Sequence, residues 1–285
     1  MPLVSGRIEP TLVNPMSHCN IQGTNTISRG RDAPLVKLYI EFKTQPGRLS
    51  GTRLPRGVVL LVLPILVGSA LAVLPLPAVA ASITCGTTIT TSTVLTSNIG
   101  PCSGNGITIG ANNVVLNCAG HIISGNGVPF YNGVFTAGIT GAVIMNCHIT
   151  GFYFDVNICC NTQKTVAMLN TLENPTDYGA FVDFDNGVSL VGNLAHGGSG
   201  ITLLDTTNSV LVGNIVTAGV GTGFSLTSDS TGNLFAANVA RGNAGFGLSD
   251  PSTGTGTSGT ANTYHLNLCP NDGSGASSPP GLCIP

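Results

Sequence analysis

The sequence predicts an all-β solenoid: a right-handed single-stranded parallel β-helix of about seven coils with disulfide-stapled ends. Three observations carry that expectation. Only 8% of the 285 residues are charged and 5% aromatic, with 39 glycines and no tryptophan. A motif of glycine, alternating apolar residues and a closing asparagine recurs at nearly constant spacing. Cysteines bracket both ends of the repeating region. The composition denies helices the charged and Ala/Leu-rich faces they need, and 42% hydrophobic content is too much for a disordered chain. Gly, Asn, Thr, Ser and Val are the residues of short strands joined by many turns.

Residues 1–57 hold eight of the ten basic residues without useful periodicity, and read as a leader, either a mis-assigned start or a long n-region. Residues 58–80 read as a signal-peptide core and cleavage site. The run from Val58 to Pro77 carries no charge, and Ala78-Val79-Ala80 supplies a small-residue site cut after Ala80. An apolar run of that length could also cross a bilayer. Pro64, Pro75 and Pro77 favour cleavage, which leaves a secreted or cell-envelope protein, periplasmic or beyond, with no membrane attachment. From Ala81 onward nine acids face two bases, Lys164 and Arg241, a net charge of 2 − 9 = −7. Such a surface does not hold a phosphate backbone, so nucleic acid is excluded as a partner.

The repeat starts at Gly106, Gly133, Gly179, Gly200 and Gly223, with weaker copies near Asp155 and Gly245. Its closing asparagines are Asn117, Asn146, Asn170, Asn193, Asn214, Asn238 and Asn267, at gaps of 29, 24, 23, 21, 24 and 29. Each copy pairs an alternating apolar strand with a second of the form V-x-L-x-x-N. Strands so short gain stability only by stacking, about 4.8 Å apart, on their equivalents in the next coil. The seven asparagines are expected to form an amide ladder along the stack. Residues 81–105 then form an N-terminal cap, 106–268 the β-helix, and 269–285 a C-terminal cap or tail.

On this pattern of Asn ladder and Gly-led coils, the region from Ile83 to Cys283 resembles the right-handed parallel β-helix superfamily, the pectate-lyase-like proteins with carbohydrate-binding and sugar-hydrolase repeats. The resemblance implies the fold and an association with polysaccharide. It does not choose among lyases, hydrolases, epimerases, adhesins and non-catalytic members, so function must come from a site.

Cys19 lies in the leader, leaving eight cysteines in the exported part. Cys85 with Cys102, and Cys269 with Cys283, bracket the ends and read as staples over an open core. Cys118 and Cys147 occupy equivalent positions in adjacent coils, as stacked thiols or as a bond. Cys159 and Cys160, with His148 nearby, raise the question of a metal, and one β-helix family serves copper-site maturation in nitrous oxide reductase. Adjacent cysteines on a strand point to opposite faces, however, and nothing matches a copper motif, which leaves either one buried thiol and one outside or a vicinal disulfide.

Elimination chemistry needs a base beside calcium-binding carboxylates, and the two bases lie about three coils apart with no acidic cluster. Glycoside hydrolysis needs two carboxylates about 5–9.5 Å apart. The candidates are Asp183, Asp185 and Asp205, the first two on alternate positions of one strand. The polygalacturonase motifs are absent. Asp185, Asp205, Asp229 and Asp250 fall five or six residues after each coil's glycine, where they could line up as calcium ligands or simply suit turns. Tyr131 and Tyr153 are candidates for stacking on sugar rings. The sequence thus points to a non-catalytic β-helix that binds polysaccharide or cell-envelope glycan or acts structurally, requiring no cofactor and with calcium as the one candidate ion. The alternative is a polysaccharide-degrading hydrolase or lyase using Asp183, Asp185 and Asp205.

Overall fold

The computed structural model describes residues 79–80 and 83–285. The leader and the apolar segment up to residue 78 lie outside the described residues. Each full coil lays one strand in each of three parallel sheets, as in Tyr178–Asp183, Ser189–Val191 and Leu194–His196. Sheets I and II, fed by the first and second strands of each coil, have nine strands, and sheet III has seven, giving a right-handed parallel β-helix of about seven turns.

Strands of three residues can alternate only in–out–in or out–in–out, and the sequence places aliphatic side chains on the inward positions. Leu116, Ile144, Ala167, Leu190, Leu211, Phe235 and Tyr264 stack through sheet II, each opposite the last. Ile123, Ile149, Leu172, Ala195, Val216 and Ala240 do the same through sheet III. All are buried. No strand here could hold itself together, and the core exists only because like stands on like.

The corner between sheets II and III shows how the turn is made. A left-handed residue (Leu169, Gly192, Gly213, Ala237 or Leu266) is followed by a buried asparagine whose Oδ1 accepts from the coil before. Asn170 Nδ2 donates to Asn193 Oδ1, Asn193 to Asn214, Asn214 to Asn238 and Asn238 to Asn267, each at 3.0 Å. The same Oδ1 atoms accept the backbone N–H of the preceding coil's asparagine. Every turn amide that the core would otherwise orphan is thereby paired.

Asn117 and Asn146 do not belong to this ladder, which corrects the expectation for the first two coils. Sheet II aligns Met145 with Met168, which puts Asn146 opposite Leu169 and one position too early. Asn117 is the last residue of its strand, opposite Met145. The ladder slot falls instead on Cys118 and Cys147, which are bonded to each other with Cα atoms 4.7 Å apart. Cys147 N–H donates to Asn170 Oδ1 at 3.0 Å, so the disulfide hands over directly to the amides. A covalent rung replaces a hydrogen-bonded one at the same buried corner.

Cys85–Cys102 and Cys269–Cys283 are disulfides near the two ends. The end segments are more than caps. Thr87–Ile89 already pairs with Ile107–Ile109, and Gly275–Ser278 extends sheet I beyond Phe246–Ser249. A second amide ladder that the repeat did not announce joins Asn233 to Asn262, while Asn243 bonds Asp272.

Candidate functional site

Three successive strands of sheet I, Asn132–Ala137, Phe154–Cys159 and Tyr178–Asp183, run for six residues, against two to four in the other strands. Their outer face is correspondingly broad. Phe154 stands opposite Tyr178, and the next outward row runs Phe135, Asn157, Phe181, then Thr202 and Ser225. The rings pack into one continuous group. Phe154 and Phe181 stack at 4.8 Å and 7° between planes, Tyr178 and Phe181 lie 5.3 Å apart, and Tyr153 and Phe130 extend the group at 4.7 and 5.1 Å. Phe130 and Tyr131 are exposed, and Tyr153, Phe154, Tyr178 and Phe181 are half-buried.

Asp177 binds the edge of this surface. Burial first, and then the hydrogen bond to Asp177, push the Tyr153 phenol up to about 12, so at neutral pH its O–H is a donor. Burial raises the Asp177 carboxyl, partly offset by that bond. Beside the rings Asn157 Nδ2 donates to Asn132 Oδ1 at 2.9 Å, which ties two of the long strands together, and Asn132 N–H donates to Asn105 Oδ1 at 2.8 Å. Of these groups the sequence singled out Tyr131 and Tyr153. Tyr178, Phe181 and Asp177 went unnoticed, although Tyr178 and Phe181 share the repeat slots of Phe154 and Asn157. Phe152, near Tyr153 in sequence, is buried in the core.

Asp183 lies close enough to feel Asp205 and to affect Asp185, but Asp185 does not share its face. The strand ends at Asp183, Phe184 turns left-handed, and Asp185 points inward, only 3% exposed. Alternation along a continuous strand does not apply across that turn, so the expected pairing of Asp183 with Asp185 is corrected. Asp185 Oδ1 accepts the Thr162 N–H. Burial above all, with a contribution from Asp183, raises its carboxyl to about 8. Asp183 is raised to about 6 by burial and then by Asp205. Asp205 itself accepts from Thr227 Oγ1 at 3.2 Å. A carboxyl as enclosed as Asp185 cannot meet a glycosidic oxygen.

The calcium ladder is corrected too. Thr162, Asp185, Thr206 and Ser230 occupy equivalent turn positions, whereas Asp205 lies opposite Phe184. Asp229 is exposed, and Asp250 is buried beneath the last coil, accepting from Ser252 N–H, Asn262 Nδ2 and Tyr264 O–H. Turns of unequal length put residues at equal distance from a glycine into different slots. The two bases are also apart: Lys164 sits in a turn between sheets I and II, and Arg241 on the outer face of sheet III.

A coil stack of this kind defines the chain as a right-handed parallel β-helix repeat protein with an outer aromatic surface. Residues 79–253 match the family model described as "Periplasmic copper-binding protein (NosD)", well over half the chain, and the protein belongs to that family. No curated protein matches it. The family is periplasmic, which agrees with a secreted or periplasmic protein, and among the described residues no helix is long and apolar enough to cross a membrane.

The family's description names copper, and the donors present do not fit a copper centre. The eight cysteines of the described region are all disulfide-bonded, Cys159 to Cys160 included, so none offers a thiolate. His148 Nε2 lies 2.9 Å from Glu173 Oε2, and Glu173 stands opposite His196, whose Nδ1 engages Thr217 Oγ1 at 3.0 Å. Among the described residues no three such donors converge.

Proposed function

We propose that this periplasmic β-helix protein is non-catalytic and binds neutral polysaccharide or cell-envelope glycan on the outer face of sheet I. The observation that supports the reading is the continuous aromatic group from Phe130 to Phe181 spread over three coils. Flat rings on a rigid sheet receive the apolar faces of sugars, and Tyr153 and Asp177 at the edge can bond hydroxyls. The excess of acids over bases disfavours polyuronates, which would be repelled. The same scarcity of bases, and the burial of Asp185, weigh against elimination and hydrolysis.

Calorimetric titration with neutral cello- and xylo-oligosaccharides and with polygalacturonate tests the proposal. Binding is expected for a neutral oligosaccharide and not for polygalacturonate. Phe181→Ala or Tyr153→Ala is expected to weaken it about tenfold, equivalent to ~1.4 kcal/mol. Absence of binding to every neutral glycan would overturn the proposal. So would release of reducing sugar that Asp183→Asn abolishes, which would transfer the role to the acids.

A further inference from the structure

Where the Cys118–Cys147 bond takes the buried slot of the ladder, the two displaced asparagines are left outside it, and a pocket opens between them. Its volume is about 540 Å³, and Asn117, Asn146, Cys147, His148, Leu169 and Thr171 line it. Small-molecule sites occupy ~300–1,000 Å³. These residues come from three successive coils, with His148 directly opposite Thr171 on the outward row of sheet III. Cys147 is buried, and its bond to Cys118 makes a covalent floor.

The fold leaves much of the hydrogen-bonding capacity around this pocket unused. Asn117 Oδ1 accepts from the Ala119 N–H and from Asn146 Nδ2, at 2.9 and 3.3 Å. Among the described residues no other group bonds either side-chain amide, so Asn117 Nδ2 remains a donor and Asn146 Oδ1 an acceptor, each one amide's width from that bond. His148 Nε2 engages Glu173 at 2.9 Å, which holds the ring and leaves Nδ1 for a ligand. The Thr171 hydroxyl is on the same outward row. Leu169, 46% exposed, supplies an aliphatic wall.

These groups define the ligand. No lysine or arginine lines the pocket to receive an anion, and the nearby Glu173 carboxylate is taken by His148. A neutral molecule that both donates and accepts is matched instead. We infer that the pocket binds an N-acetylated amino sugar. Asn146 Oδ1 accepts the acetamido N–H, Asn117 Nδ2 donates to its carbonyl oxygen, and Leu169 covers the methyl group. His148 and Thr171 are left for the ring hydroxyls. A site built on such a pair discriminates against a sugar with a hydroxyl in place of the acetamido group, which leaves the amides partly unmatched. The pocket lies at the corner of sheets II and III, so the inference stands whether or not the aromatic surface of sheet I binds glycan.

Calorimetric titration with N,N′-diacetylchitobiose and with cellobiose, which lacks the acetamido groups, tests it. The acetylated disaccharide is expected to bind at least tenfold more tightly. Asn146→Gly removes the amide while suiting the left-handed backbone there, φ 54°. It should bring the ratio of the two affinities close to one, with the melting temperature lowered by no more than a few degrees. Asn117→Ala should act in the same direction, whereas Phe181→Ala, on sheet I, should keep the ratio. No binding of the acetylated sugar, equal binding of the two sugars, or a preference that survives both Asn146→Gly and Asn117→Ala overturns the inference. So does a preference lost in Phe181→Ala alone, which would transfer acetamido recognition to sheet I.

Discussion

Asn214→Ala is expected to lower the melting temperature by about 10 °C, while Asn117→Ala lowers it by no more than a few degrees. Asn214 Oδ1 accepts the Asn193 N–H and Nδ2, and its own Nδ2 donates to the Leu190 carbonyl and to Asn238 Oδ1. Truncation leaves the Asn193 N–H and the Leu190 carbonyl buried with no substitute. Each orphaned group costs about 1–3 kcal/mol, and the lost volume adds to this. A total of about 3–5 kcal/mol corresponds to roughly 10 °C for a domain of this size. Asn117 stands outside the ladder, and its side-chain Oδ1 accepts from the Ala119 N–H and Asn146 Nδ2 at the half-exposed surface. Equal losses at the two positions would contradict the register.

Stability is also expected to rise as pH falls from 9 to 5, the reverse of a protein held together by ion pairs. Asp185 is raised from 3.8 to about 8 and Asp183 from 3.8 to about 6, chiefly by burial, and Asp155 is raised well above its ordinary value for the same reason. A carboxyl whose folded value is raised supports the fold while it keeps its proton. That support is whole below the unfolded value near 3.8, drains as the unfolded chain ionises, and is gone once pH passes about 8. Each unit corresponds to about 1.4 kcal/mol, so thermal melts between pH 5 and pH 9 should differ by several degrees. Asp185→Asn, which cannot ionise, should flatten the profile and raise the melting temperature at pH 9. A melting temperature that climbs with pH, or a variant that leaves the slope intact, would contradict this account of the buried acids.

The fold was legible because its two requirements are written in every coil: an inward aliphatic at alternate positions, and an amide at the corner where backbone groups would go unpaired. Asn193, Asn214, Asn238 and Asn267 satisfy both and align as read. Register failed at Asn117 and Asn146 because Asn-Cys at the strand end offers two residues for one buried slot, and the disulfide takes it. The acids were harder to place because position in a coil is set by strand pairing, not by distance from a glycine. A left-handed Phe184 after Asp183 is enough to send Asp185 inward. Tyr178 and Phe181 were concealed by their setting, since aromatic residues in an apolar strand read as core. Only the six-residue strands of sheet I, with Val156 and Ala180 facing inward between them, turn those rings outward.

The most direct test of the functional account is hydroxyl-radical footprinting of the protein with and without a saturating neutral oligosaccharide. Oxidation of Tyr131, Tyr153 and Tyr178 should be suppressed together, with Ile215 and Leu268 unaffected. Protection that leaves all three tyrosines untouched, or that appears only around Asp183 and Asp205, would contradict it.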